Sequence, residues 1–277
     1  FLAGGAGQAA AELSAHIYRG FNEIRKTRDL ILIDQRGTGK SNPLQCEDSL
    51  EVNPYTSLPE DFSVADIEQC LEKLKGDLSQ YNSENAIRDF DAVRAALGHK
   101  QVHIYGGSYG TRAGLVYMRM FPESLKSVVL DSVGPIEVPI GLFGKSAEQS
   151  FKKLIDNCQN EPSCAAEYPA LLTEFNAITD KLSKAPVSVE IAHPRLGTNT
   201  VFNINNDKFI SSLQMQLYSM ETRGLVPLLI HQAYIGNYKP LAGLIAQSEG
   251  GMGIYVGLHF NIVCNEDFPK ISTDMKA

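Results

Sequence analysis

Ser108 stands in Gly106-Gly107-Ser108-Tyr109-Gly110, with a β-rich run (Val102 to Tyr105) before it and a helical run after it. A serine with glycine two positions to either side suits a sharp strand-to-helix turn, where the backbone is strained and the flanking segments approach closely. Such a turn lifts the serine Oγ out of the sheet and points the following N–H, that of Tyr109, at a substrate carbonyl. Acyl transfer needs a second oxyanion donor, from the loop after an earlier strand. Gly4-Gly5-Ala6-Gly7 occupies that place, and Gly5 N–H is the expected donor. The competing readings are a solvated serine in a glycine-rich turn and a plain tight turn at 4–7.

A nucleophilic serine also needs a general base and an acid, in the chain order Ser, acid, His for this arrangement. Of the six histidines, His16, His99 and His103 precede the nucleophile, and His103 falls inside a strand. His193 falls on a hairpin tip. His231 lies in the helical LLIHQAYIG, and His259 shares a short apolar stretch with Leu258 and Phe260; both are expected to pack rather than to act as bases. Asp131 closes the strand after the nucleophile and is weighed as an acid against a loop-bracing role. None of the six fits the base, so the expectation is that the chain stops before it.

Asp34-Gln35-Arg36-Gly37-Thr38-Gly39-Lys40-Ser41 ends like a phosphate loop, but that pattern requires glycine at 34, and Asn42-Pro43 turns the chain away from any following helix. Nucleotide hydrolysis is set aside, and Asp34 and Arg36 are expected to brace a strand-end loop. Five cysteines suggest an oxidising compartment. Cys158 and Cys164 have the spacing of a short disulfide, Cys46 and Cys70 could staple the excursion between them, and Cys264 is left over. Five reduced cysteines in a cytosolic enzyme are the alternative. No cluster has metal-ligand spacing, so neither metal nor cofactor is expected.

The elements that must position these residues are legible as alternating strand and helix signals. Leu13, Ile17, Phe21 and Ile24 recur at helical spacing, and so do Ile87, Phe90, Val93 and Leu97, with Gly98 placed to end that helix. Phe1-Leu2, Leu30 to Ile33, Val102 to Tyr105 and Ser127 to Leu130 read as strands. Strands separated by helices mean a parallel sheet with helical crossovers, an α/β class. Beyond Gly134-Pro135 the chain turns mainly helical, broken by Val187 to Ile204, which looks like a hairpin around 193–197. The expected division is a core over 1–134, a helical cap (lid) with a β-hairpin over 135–253, and the start of a return to the core over 254–277. The formal charge of −7 on 277 residues gives no basic footprint, so a nucleic-acid partner is not expected. No apolar run reaches the roughly 18 residues of a membrane span. The opening Phe1-Leu2, without Met or a basic segment, reads as a trimmed start and says nothing about export.

With those residues in place, the sequence resembles the proline iminopeptidase and tripeptidyl aminopeptidase-like serine peptidases of the α/β-hydrolase fold. GGAGQ, DQRGTGKS, RDFDAVRAALG, VHIYGGSYGTRAGLVYMRMFPES and VVLDSVGP carry the likeness over residues 1 to about 135. VCNEDFP, where the cap ends, agrees more loosely. The resemblance implies a peptidase that releases residues from the N-terminus of peptides, export to a periplasm or the outside, and further strands before Phe1. It also implies triad Asp and His loops beyond Ala277, which would account for the missing base and for Cys264. Acidic cap residues bind the substrate amine in such proteins; Glu266 or Asp267 is the candidate here, against a solvated or structural acid. The usual turn reads GGPG, and Ala6 stands at the proline. The rival readings are an esterase or lipase-like hydrolase and a non-catalytic binding protein on the same scaffold.

Overall fold

β1 (Val102–Gly107) and β2 (Leu125–Asp131) pair in parallel, His103 opposite Ser127 and Gly107 opposite Asp131. The connection between them is the helix Tyr109–Met120 followed by a short 3₁₀ turn, the crossover that a parallel pair requires. On the other side of β1, Leu2 bridges Gly106 in parallel, and Leu2 N–H donates to the Tyr105 carbonyl at 2.8 Å. The computed structural model describes residues 1–46, 64–192, 197–248 and 253–275.

Those residues form two compact units. The first takes 1–46, 64–142 and 253–275, and the second takes 143–192 and 197–248. Pro135 to Leu142 belongs with the first, and a tie is visible: the Arg112 guanidinium donates to the carbonyls of Val138 (2.6 Å) and Pro135 (3.4 Å).

In the first unit, the helices Ser83–Ala96 and Tyr109–Met120 press Ile87, Phe90, Ala113, Val116 and Tyr117 against Leu2 and Ile104. Gly114 lets the second helix approach, since a Cβ there would lie 2.9 Å from Leu130 Cδ2. The first helix begins on Asn82, whose side chain accepts from Asn85 N–H at 2.8 Å, and ends before Gly98, which takes φ 80° as the periodicity predicts. A second cluster, Ala6, Leu44, Tyr109, Leu258 and Ile262, joins the start of the chain to the helix Val256–Ile262.

The predicted strand at Leu30 to Ile33 does not form a ladder. The Phe1 nitrogen donates to the Ile31 carbonyl at 3.1 Å, a single bond where a ladder needs a run of paired residues. Asp34 and Arg36 brace the following loop as expected. Asp34 accepts from Ala11 and Lys40 N–H, while Arg36 forms a two-pronged pair with Asp89, both bonds at 2.7 Å.

The second unit packs the helices Gly144–Asn160, Leu171–Leu182, Asn206–Gln216, Val226–Tyr234 and Lys239–Ser248 around Leu171, Ile178, Phe209, Ile230 and Leu241. The hairpin of β3 (Val187–Ala192) and β4 (Asn199–Ile204) is antiparallel, with Val189 facing Phe202 across it. Its tip, with His193, lies outside the described residues. Both foreseen disulfides form, Cys46–Cys70 with Cα atoms 5.2 Å apart and Cys158–Cys164 with Cα atoms 5.1 Å apart, while Cys264 is free and exposed. Among the described residues no helix is long and apolar enough to cross a membrane.

Candidate active site

Ser108 follows β1 directly and caps the helix Tyr109–Met120 with φ 52° and ψ −119°. An L-residue with a side chain pays about 1–3 kcal/mol for a sparsely populated backbone region and keeps it only where the surroundings over-determine it. Here they do. Ser108 N–H donates to the Asp131 carbonyl at 2.9 Å, and the Ser108 carbonyl accepts from both Thr111 N–H (2.9 Å) and Thr111 Oγ1 (2.6 Å). Thr111 is fully buried, and its Oγ1 accepts in turn from Gly134 N–H at 2.8 Å. The two flanking glycines are required by space: a Cβ on Gly106 would strike the Gly110 carbonyl, and one on Gly110 would strike the carbonyl of Leu2. The seryl side chain itself is exposed.

The glycine turn lies against this corner. A Cβ on Gly4 would stand 3.2 Å from the Gly107 carbonyl oxygen and 3.3 Å from Ser108 Cβ. Gly5, Ala6 and Gly7 follow with φ of 74°, 41° and 127°. Ala6 is therefore no simple stand-in for proline, whose ring holds φ near −65°. Tyr109 contributes its N–H from the first position of its helix, where no intrahelical acceptor exists. The structure thus brings Gly4-Gly5 and Ser108-Tyr109 together.

Tyr109 sends its side chain inward. Its hydroxyl is 2.7 Å from Ser83 Oγ, and Ser83 gives its Oγ–H and N–H to the two carboxylate oxygens of Glu266 at 2.7 and 2.6 Å. Burial, and after it the negative charge of Glu266, push the Tyr109 phenol up to about 12. Glu266 sits at the start of the helix Ser83–Ala96, where a carboxylate complements the helix dipole. Asp267 is buried with Arg112 in an ion pair of 2.6 Å, which ties the 263–267 turn to the helix after the nucleophile.

No described histidine ring has a hydrogen bond to Ser108. His103 Nδ1 meets Ser127 Oγ at 2.7 Å on the exposed face of the sheet. His231 Nδ1 lies 3.1 Å from both oxygens of Glu174 within the second unit. His259 is half-buried, with Nδ1 at 2.9 and 3.0 Å from the carbonyls of Gly5 and Ala6. The Asp131 carboxylate accepts from Tyr105 Oη and from Ser132 Oγ. Sequence reasoning missed Ser83 and the placement of His259, because each meets its partner across more than 180 positions of chain. Thr111 was in view within GGSYGTR, but only the fold shows that its hydroxyl holds the elbow.

The arrangement offers an exposed hydroxyl on a strained turn, with the first amide of the following helix next to it in the chain and the glycine turn packed against it; acyl transfer asks for such a hydroxyl and for backbone donors near it. Comparison with known proteins agrees. A family model described as the alpha/beta hydrolase fold matches residues 1–145. Serine protease Hip1 of Mycobacterium bovis is 27% identical over 201 residues, covering 65% of this chain and 38% of that protein. A tripeptidyl aminopeptidase of Streptomyces lividans is 37% identical over 120 residues (39% of this chain, 22% of that one), and a proline iminopeptidase of Aeromonas sobria is 31% identical over 157 residues (55% and 30%). The matches thus span between 22% and 38% of the length of these relatives.

Proposed function

The chain belongs to the α/β-hydrolase fold family, and from that premise we propose that it carries the nucleophile and oxyanion site of an exported serine peptidase that releases residues from the N-terminus of peptides. The observation that carries this is Ser108 at φ 52° between β1 and its helix, with the Gly4-Gly5 turn packed on it. In this reading Ser108 Oγ, deprotonated by a histidine base, attacks the scissile carbonyl. Gly5 and Tyr109 N–H groups hold the oxyanion, the amine leaves with a proton returned by the same base, and water resolves the acyl-enzyme. Donors already fixed by the fold need no reorganisation as charge develops, and removal of one such donor typically costs about 10²–10³ in rate.

The second unit is the proposed cap. Glu266 is the carboxylate proposed for the substrate ammonium: Ser83 engages two of its roughly four lone-pair sites. Two disulfides support export, since such bonds persist in oxidising compartments. Peptidase names among the relatives favour amide over ester substrates.

Fluorophosphonate labelling with peptide mapping, on this chain and on the natural full-length protein, tests the nucleophile. The full-length protein is expected to label at Ser108 and to lose the label in Ser108→Ala. It is also expected to cleave aminoacyl arylamides with a free amine far faster than their N-acetyl forms or acyl nitrophenyl esters. Absence of label in the folded full-length protein would sink the hydrolase reading, and equal turnover of free and acetylated substrates would remove the aminopeptidase assignment.

A further inference from the structure

We propose that His259 is a positioning residue for the oxyanion turn, clamping Gly5 and Ala6 through its Nδ1–H; this rests on the serine-hydrolase reading of Ser108. Nδ1 stands 2.9 Å from the Gly5 carbonyl oxygen and 3.0 Å from that of Ala6. Backbone carbonyls only accept, so Nδ1 must carry a proton. That proton is present in the imidazolium and in one neutral tautomer, and the other neutral tautomer would set a lone pair against two oxygens.

The turn needs such a clamp. Gly5, Ala6 and Gly7 all have positive φ, and a left-handed alanine costs roughly 1–2 kcal/mol. Proline, the residue usual at this position in the resembled family, would stiffen a turn covalently at φ near −65°, which the 41° of Ala6 excludes. Stiffness here comes from outside the turn. Gly7 carbonyl accepts from Tyr255 N–H at 2.9 Å, Gln8 bridges Ile254, and a Cβ on Gly5 would meet Ile254 Cδ1 at 3.2 Å. The segment 254–259 is moulded to the turn, and His259 is its one side chain that grips peptide groups of Gly5 and Ala6.

Peptide geometry makes the grip specific. In a trans peptide the C=O and N–H point in opposite directions. A bond to the Gly5 carbonyl therefore sets the plane that follows Gly5, and the Gly4 carbonyl, accepting from Gln8 N–H at 3.4 Å, sets the plane that holds Gly5 N–H. Both planes around Gly5 are then pinned. The clamp has a firm base: Leu258 and Ile262 on the same helix are fully buried, and Leu258 N–H donates to the Leu44 carbonyl at 3.2 Å.

The test uses the natural full-length protein. Long-range 1H–15N correlation of the imidazole is expected to show the proton on Nδ1, and a neutral ring protonated on Nε2 overturns the clamp without any variant. His259→Leu is expected to slow fluorophosphonate labelling of Ser108 about tenfold, less than the loss of a whole oxyanion donor. His259→Asn, whose amide nitrogen can occupy the Nδ1 position, is expected to stay within about threefold of wild type, while His259→Gln, whose amide reaches the Nε2 position, should behave like the leucine variant. Melting curves report folding separately. A leucine variant that labels at the wild-type rate, or an asparagine variant that is folded yet as slow as leucine, overturns the proposal. If wild type fails to label at all but shows the Nδ1 proton, the hydrolase reading falls and the clamp remains as a feature of the fold.

Discussion

Of the four described residues that carry a side chain at positive φ, Ser108 and Ala6 are held there by different means. At the elbow, Ser108 (φ 52°) is locked by groups close in sequence: the Thr111 amide and hydroxyl, the Asp131 carbonyl and the Gly134 amide behind Thr111. At the glycine turn, Ala6 (φ 41°) is locked from the far end of the chain, by Tyr255, Ile254 and His259. The elbow can form whenever β1, its helix and β2 form. The turn is set only when the segment around 254–259 arrives. The proposed oxyanion site draws on both corners, so it would be complete only once both are in place.

The harshest way to break the comparison is at the elbow. Gly110→Ala places a methyl group against the Leu2 and Ala3 carbonyls, both rigid backbone. Overpacking of this kind costs about 1–3 kcal/mol where side chains can yield, and more is expected where only backbone is in the way. The variant should melt well below wild type and lose Ser108 labelling, because Leu2 is the neighbour through which β1 meets the glycine turn. Thermal denaturation followed by circular dichroism reads the first effect. A variant with wild-type melting would show that the elbow is looser than its hydrogen bonds imply.

At the turn the pair Ala6→Pro and Ala6→Gly separates backbone strain from everything else. Proline cannot reach φ 41°, so the clamp of His259 and the proline ring would compete, and a loss of about 2 kcal/mol or more is expected. Glycine relieves the left-handed strain, about 1–2 kcal/mol, but gives back a comparable amount through a freer unfolded chain and one lost buried methyl group. Its stability should lie within about 0.5 kcal/mol of wild type on denaturant titration. If proline were tolerated as well as glycine, the turn would not depend on its long-range clamp, and the contrast with the elbow would vanish.

The same contrast explains what was readable beforehand. Gly106-x-Ser108-x-Gly110, the helix ending at Gly98 and the two disulfides all follow from spacings within about 25 residues, where turn sterics and periodicity act directly. His259 on Gly5 and Glu266 on Ser83 are separations of 254 and 183 residues, and no local propensity encodes them. From sequence, His259 read as a core residue beside Leu258 and Phe260, whereas its ring is half-buried with Nδ1 at work on backbone carbonyls. Leu30 to Ile33 failed the other way: it has the composition of a strand, but it forms no ladder with any described residue.

A third site, touching neither corner, supplies the control. On the helix Ser83–Ala96, Asp91 accepts from Arg94 Nε at 2.7 Å and from Tyr117 Oη at 2.8 Å, and the guanidinium, ahead of the hydroxyls, holds its carboxyl at about 2. An unperturbed aspartate titrates near 3.9. The folded state thus binds this proton more weakly than the unfolded chain, so the stabilisation is whole above about pH 4 and is lost as pH falls toward 2. Asp91→Asn should lower the melting temperature at neutral pH, and the gap to wild type should narrow steadily over that acid window. At neutral pH its labelling rate at Ser108 should match wild type, because Asp91 braces Arg94 and Tyr117 rather than the elbow or the turn. A gap that stays constant down to pH 2 would place the stabilisation in packing rather than charge. A slowed label would mean that loosening the helix beneath β1 disturbs the elbow too, so that the local lock at Ser108 is less self-sufficient than its hydrogen bonds suggest.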